Sequence, residues 1–195
     1  MTQATISFQP REIVVRPGQS VKLRLLQPED APALLRFFQR IPGHDRFYLK
    51  DDVTSSRVIE DWCVNIDLKR VIPLVAEIEG EIVADGTLHR RRHPARRHIG
   101  EIRFVVDPRY RGRGLGTHLI YQLLELAYSN QMEKIVFELI PGQEEAAIRV
   151  AREIGFKSVA VFRNHVRDIS GLSHDLMVLE LDLESWYQVD EASQF

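Results

Sequence analysis

Residues 101–117 read EIRFVVDPRYRGRGLGT, and no other stretch restricts the fold so tightly. An apolar, strand-like run ends at Asp107-Pro108. Glycines then recur at 112, 114 and 116, with Arg111 and Arg113 among them. Leu115, Leu119, Leu123 and Leu126 follow at helical spacing, predicting a helix from 114 to 129. Glycine admits close approach of backbone to a ligand and takes up dihedrals that other residues resist. Peptide N–H groups at a helix start have no acceptor within the helix, so a glycine loop running into one forms an anion site. The expected ligand is a phosphate or pyrophosphate. A nucleotide P-loop is excluded because no lysine stands at the end of a GxxxxGK[ST] pattern. A dinucleotide GxGxxG fingerprint is disfavoured because its last position falls on Thr117 or Leu119.

The surrounding pattern places this loop in a mixed α/β chain. Ile13–Val15 suits a short strand and Pro17-Gly18 a turn. Strands are predicted at 21–26, 73–78, 81–89, 98–106, 134–140, 157–166 and 175–183. Glu79-Gly80 marks a hairpin. Leu34, Phe37, Phe38 and Ile41 predict a helix that starts near Pro28-Glu29-Asp30 and ends at Pro42-Gly43. Thr54 or Ser55 caps a second helix whose apolar stripe is Ile59, Trp62, Cys63 and Ile66. Ala147, Val150, Ala151 and Ile154 mark a helix closed by Gly155. The order is β-α-α-β-β-β-α-β-α-β-β. Antiparallel hairpins come first, then a parallel step across the helix after Gly114, with helices on both faces.

Composition narrows the function classes. The 195 residues carry a net charge of −2, which argues against nucleic acid or an anionic membrane as the main partner. The single cysteine, Cys63, rules out an intrachain disulfide and reads as core filler. The histidines lack ligand spacing, so no metal site is expected. No run approaches a membrane span, and the opening MTQATISFQPREIVV lacks the pattern of a secretory signal, so a cytoplasmic protein is expected.

Arg111-x-x-Gly114-x-Gly116 after a strand ending Val-Val-Asp-Pro resembles the acyl-CoA signature of the GNAT superfamily of N-acetyltransferases. Residues 21 to about 181 follow that family's order of elements, and Ile154-Gly155-Phe156 matches its usual close to the helix after the fifth strand. The resemblance implies a mainly antiparallel central sheet in which strand 101–106 carries a bulge and splays from its parallel neighbour 134–140. It places the N-acetyltransferase domain at 21–183, between a stretch, 1–20, that reads from its residues as an N-terminal extension and an acidic C-terminal tail, 184–195, whose Trp186, Tyr187 and Phe195 are candidate docking points. It also implies an acetyl-CoA or close acyl-CoA co-substrate. Its pyrophosphate would be held by Arg111, Gly112, Arg113, Gly114, Leu115, Gly116 and Thr117, and its pantetheine would pair with backbone at Phe104 and Val106. An amine would then attack the thioester directly.

Such an attack needs a neutral amine, hence a proton acceptor. In some members of the family a glutamate at the position of Glu101 is that base; the alternative is a carboxylate paired with Arg103. Glu138, a charge in an apolar strand, is the second catalytic candidate. The usual tyrosine acid and its asparagine companion are replaced here by Ala151 and Glu144. The thiolate then leaves unaided, or Tyr110 or a water substitutes, or the chain is a non-catalytic acyl-CoA sensor. The acceptor is expected to be a small-molecule amine, a protein lysine or a protein N-terminus. Arg90, Arg91, Arg92, Arg96 and Arg97, with His89, His93 and His98, form a basic loop. It reads first as a solvated hairpin tip, next as a recruiter of acidic acceptors, and least as a nucleic-acid contact. Asp45, Asp51 and Asp52 read first as a solvated loop and next as an attractor of a cation. A homodimer through the tail or last strands is compatible with the sequence.

Overall fold

The computed structural model describes residues 8–193 except Lys50 and Arg92, with side chains described to 189. Arg92 of the basic loop and Phe195 of the tail therefore lie outside the described residues.

Alternating apolar positions become eight strands in one mixed sheet, with the order β1-β2-β3-β4-β5-β6-β8-β7. These are β1 (Arg11–Val15), β2 (Gln19–Leu25), β3 (Val71–Ile78), β4 (Glu81–Arg90), β5 (Ile99–Val106), β6 (Lys134–Leu139), β7 (Lys157–Arg167) and β8 (Ser173–Asp182). The helices are α1 (Ala31–Arg40), α2 (Gly43–Arg46), α3 (Ser56–Val64), α4 (Leu115–Ser129), α5 (Glu145–Ile154) and α6 (Leu183–Ser193). The chain resolves into two compact units: residues 8–87 with 104–119, and residues 88–103 with 120–193.

In the first unit, β2 pairs antiparallel with both β1 and β3. The segment read as an extension thus supplies the first strand of the sheet. Leu34, Phe37 and Phe38 of α1 and Ile59 and Cys63 of α3 are buried together with Val75 and Ile82 of the sheet. Burial, aided by the nearby charges of Asp30 and Asp85, pushes the Cys63 thiol up to about 11, which suits core filler and not a nucleophile. Two sequence expectations change here. A further helical turn, α2, follows Pro42 instead of a plain loop. Ser55 stands at the N-cap of α3, but its side chain makes no capping bond. The Asp52 carboxylate instead accepts from the backbone and hydroxyl of Thr54, closing the loop one turn earlier.

In the second unit the parallel ladder pairs Ile99 with Lys134, Gly100 with Ile135 and Glu101 with Val136. β5 itself continues to Val106 and β6 to Leu139. A Cβ on Gly100 would fall 2.7 Å from Met132 Sδ, so any other residue would make the side chains that cover β5 shift. β8 lies antiparallel to β6 and to β7. The stretch read as a tail folds as α6. Trp186 is buried beside Tyr121, and Tyr187 stacks on Tyr128 with ring centroids 4.1 Å apart. Among the described residues, no helix is long and apolar enough to cross a membrane.

Candidate functional site

Asp107 prepares the glycine loop. Its N–H donates to the Val83 carbonyl of β4 at 2.9 Å, which holds the end of β5 beside that strand. Its carboxylate accepts from the Arg109 backbone N–H at 3.0 Å and starts the short turn Pro108–Tyr110. Arg40 Nε from α1 and the Arg109 guanidinium complete its coordination. The side chain is only 1% exposed. Burial opposes its ionisation, but the hydrogen bonds from Arg109 and then Arg40 outweigh burial and hold the carboxyl near 2, below its ordinary 3.8.

Beyond this turn the chain enters the loop. Gly112 and Gly114 have φ of 70° and 89°, a left-handed backbone that an L side chain resists. The Arg111 N–H closes on the Pro108 carbonyl, and the His118 N–H closes on the Gly114 carbonyl. Among the described hydrogen bonds none starts from the amides between them, 112–117. They form the row of unsatisfied donors at a helix start that the sequence predicts, at the positive end of the α4 dipole. Gly116 has a separate reason to be glycine: a Cβ there would stand 3.3 Å from the Phe104 ring. Phe104 and Val106 of β5 thus lie directly under the first turn of α4.

The loop arginines are anchored. Arg111 Nε donates to the Val106 carbonyl at 2.9 Å, and its terminal nitrogen meets Asp45 of α2 at 2.6 Å. Asp45 is thus a partner of the loop and not a solvated acid. The Arg113 guanidinium lies 5.2 Å from the Tyr110 ring centroid and reaches Gln19. The Arg113 carbonyl accepts from the Arg16 N–H, tying the β1–β2 turn to the loop.

Glu101 is buried on β5, and its carboxylate is held by Arg103 at 2.6 Å, with Arg91 at 3.8 Å. The pairing with Arg103 that the sequence allows is therefore present. Glu138 on β6 is exposed, so solvent meets the charge that an apolar strand leaves needing a partner or a purpose. Ala151 is wholly buried on α5. Glu144 accepts from the Ile140 N–H at 2.7 Å, which fixes the turn into α5. Among the described residues no group of His, Cys, Asp and Glu side chains is arranged to hold a metal ion.

One buried acid has no signature in the sequence. Asp85 of β4 is 9% exposed, and among the described residues no hydrogen bond or ion pair reaches it. Burial pushes its carboxyl up to about 7 from 3.8. Between these values the folded chain holds a proton that the unfolded chain has lost. Stability therefore falls as pH rises from about 4 to about 7, and the full penalty applies above 7. Asp85→Asn should raise stability at pH 8 by roughly 2–4 kcal/mol and flatten this slope, as read from urea midpoints at pH 5 and pH 8. An unchanged slope would place the titration elsewhere.

The sequence model of the acetyltransferase (GNAT) family matches residues 35–156. The chain belongs to this family. Solved structures share its fold: YncA of Salmonella typhimurium with its cofactor acetyl-CoA superposes at a TM-score of 0.73 and 22% identity, covering 84% of this chain and 94% of that one. Among curated relatives, N-acetylaspartate synthetase of Xenopus tropicalis is 31% identical over 103 residues, 53% of this chain and 36% of that protein. L-amino acid N-acetyltransferase AaaT of Escherichia coli is 31% identical over 85 residues, 43% of this chain and 52% of that protein. The matches thus span between about a third and about half of the length of these curated relatives.

Proposed function

We propose that the chain is an N-acetyltransferase that uses acetyl-CoA and acts on a primary amine, its catalytic domain lying within residues 21–183. The observation that carries this reading is the row of unsatisfied amides at 112–117, set on left-handed glycines at the start of α4. Such a row suits the pyrophosphate of coenzyme A. Membership of the GNAT family and the acetyl-CoA held by YncA support the same ligand. The pantetheine would run along Phe104–Val106, where a backbone N–H can polarise the thioester carbonyl. The acceptor nitrogen forms its bond to the acetyl carbon, the carbon–sulfur bond breaks, and the CoA thiolate leaves. Glu101 takes the proton that the ammonium must lose. With Ala151 at the usual acid position, the thiolate leaves without a tyrosine donor, which the acidity of a thiol permits.

Glu101→Gln should lower kcat by about 10²–10⁴-fold and leave the Kd for acetyl-CoA within about twofold, measured by thiol release and by calorimetry. An unchanged rate would remove Glu101 from the mechanism and pass the role to Glu138 or a water. A second reading, an acyl-CoA-binding module without turnover, is favoured by the guanidinium that already holds Glu101 and by the buried Ala151. Acetyl-CoA binding with no transfer to any amine would support it.

A further inference from the structure

The surroundings of Glu101 have a chemistry of their own. Arg103 grips one carboxylate oxygen of Glu101 through Nε and a terminal nitrogen, at 2.7 and 2.6 Å. Arg91, which follows β4, approaches the other oxygen at 3.8 Å, too long for a hydrogen bond. Arg91 Nε is buried and has no hydrogen-bond partner. A guanidinium N–H taken out of water without an acceptor is costly, and its planar fork matches a carboxylate. Further along the same connection, Arg96 and Arg97 are exposed cations. A polyamine or an aminoglycoside approaching here would meet like charge. A zwitterion would not: its ammonium suits Glu101, and its carboxylate suits the guanidinium of Arg91, which is 34% exposed and too far from Glu101 to hydrogen-bond to it.

We propose that the acceptor is an amine bearing a neighbouring carboxylate, as in an α-amino acid, and that Arg91 is the residue that selects it. This rests on the acetyltransferase reading above. The carboxylate lies one carbon from the amine in a free amino acid, or in the side chain of an acidic residue at a peptide N-terminus; both present the same pair of charges.

The test assays the purified protein with acetyl-CoA against four groups of amines. These are the free L-amino acids, their C-terminal amides, peptides beginning with Asp or Glu, and the cations spermidine and kanamycin. The expected result is acetylation of at least one free acid about tenfold or more faster, in kcat/KM, than its amide and than either cation. Preference for the acidic peptides over free acids would assign the carboxylate to a peptide and keep the role of Arg91. Arg91→Gln should raise KM for the preferred acceptor about tenfold or more, hold kcat within about threefold, and abolish the preference over the amide; Arg91→Lys should restore part of it. Calorimetry with the N-acetylated product should show the same loss in Arg91→Gln without turnover. Equal use of acids, amides and cations, or acetylation confined to the cations, would overturn this inference and leave the acetyltransferase reading standing. Failure of the folded wild type to bind acetyl-CoA would overturn both.

Discussion

Gly114→Trp abolishes saturable acetyl-CoA binding, raising Kd by 100-fold or more in calorimetry, while the circular dichroism spectrum stays that of the wild type. Two properties of the position give this outcome. Its φ of 89° lies where a side chain is strained, and no atom stands within 4 Å of where its Cβ would be. The Cβ therefore meets no protein atom, and the indole beyond it should occupy space in front of the amides 112–117. Backbone strain costs on the order of 1–3 kcal/mol, which a chain with ordinary stability tolerates. A loss of several hydrogen bonds to a charged ligand costs more, since each is worth about 1.5–3 kcal/mol. Gly114→Ala separates the two contributions: it carries the strain without the bulk and should weaken binding about tenfold or less. Equal losses in both variants would mean that the dihedral angle, not the space, governs the site.

Asp107→Ala lowers stability by about 3 kcal/mol, measured as a shift of the urea midpoint at pH 7. The buried carboxylate neutralises Arg40 and Arg109 and caps the turn into the loop. Breaking a buried ion pair from one side costs about 3–5 kcal/mol, and the half-exposed Arg109 can be rehydrated, which places the loss at the lower end. The pH dependence has a definite sign. A carboxyl held near 2 in the folded state and near 3.8 in the unfolded state contributes stability above pH 4. That contribution is lost as pH falls through 3.8 towards 2. Asp107→Asn should lack this acid-side slope. Because Asp85 acts with the opposite sign between about 4 and 7, the wild type should be most stable near pH 4 to 5 as far as these two groups decide it.

The parts of the molecule legible in the sequence share one property: their cause is local. Strands follow from alternation, and α4 from Leu115, Leu119, Leu123 and Leu126, all of which are buried. The loop follows from glycines whose spacing has a backbone reason. The contacts that hold the loop are not local. Arg40 meets Asp107 across 67 residues and Arg111 meets Asp45 across 66, and no pattern near either partner announces the other. Asp85 was missed for a related reason: a lone acid within Val-Ala-Asp-Gly looks the same whether it is solvated or buried, and only packing distinguishes the two. Glu138 shows the converse, since an apolar strand suggested a buried charge and the structure exposes it. The four-residue helix α2 is too short to leave a periodic signature. The orphaned Nε of Arg91 was invisible because it is a fact of packing and not of composition.

If the amides 112–117 hold the phosphates of an acyl-CoA, their own resonances must report it. Acetyl-CoA is titrated into the uniformly ¹⁵N-labelled protein, and the backbone N–H resonances are followed. Binding by this loop gives saturable shifts of Gly112, Gly114 and Gly116 that share one Kd with the calorimetric isotherm. Resonances of the folded protein that stay in place at these glycines, with acetyl-CoA absent or bound elsewhere, would contradict it.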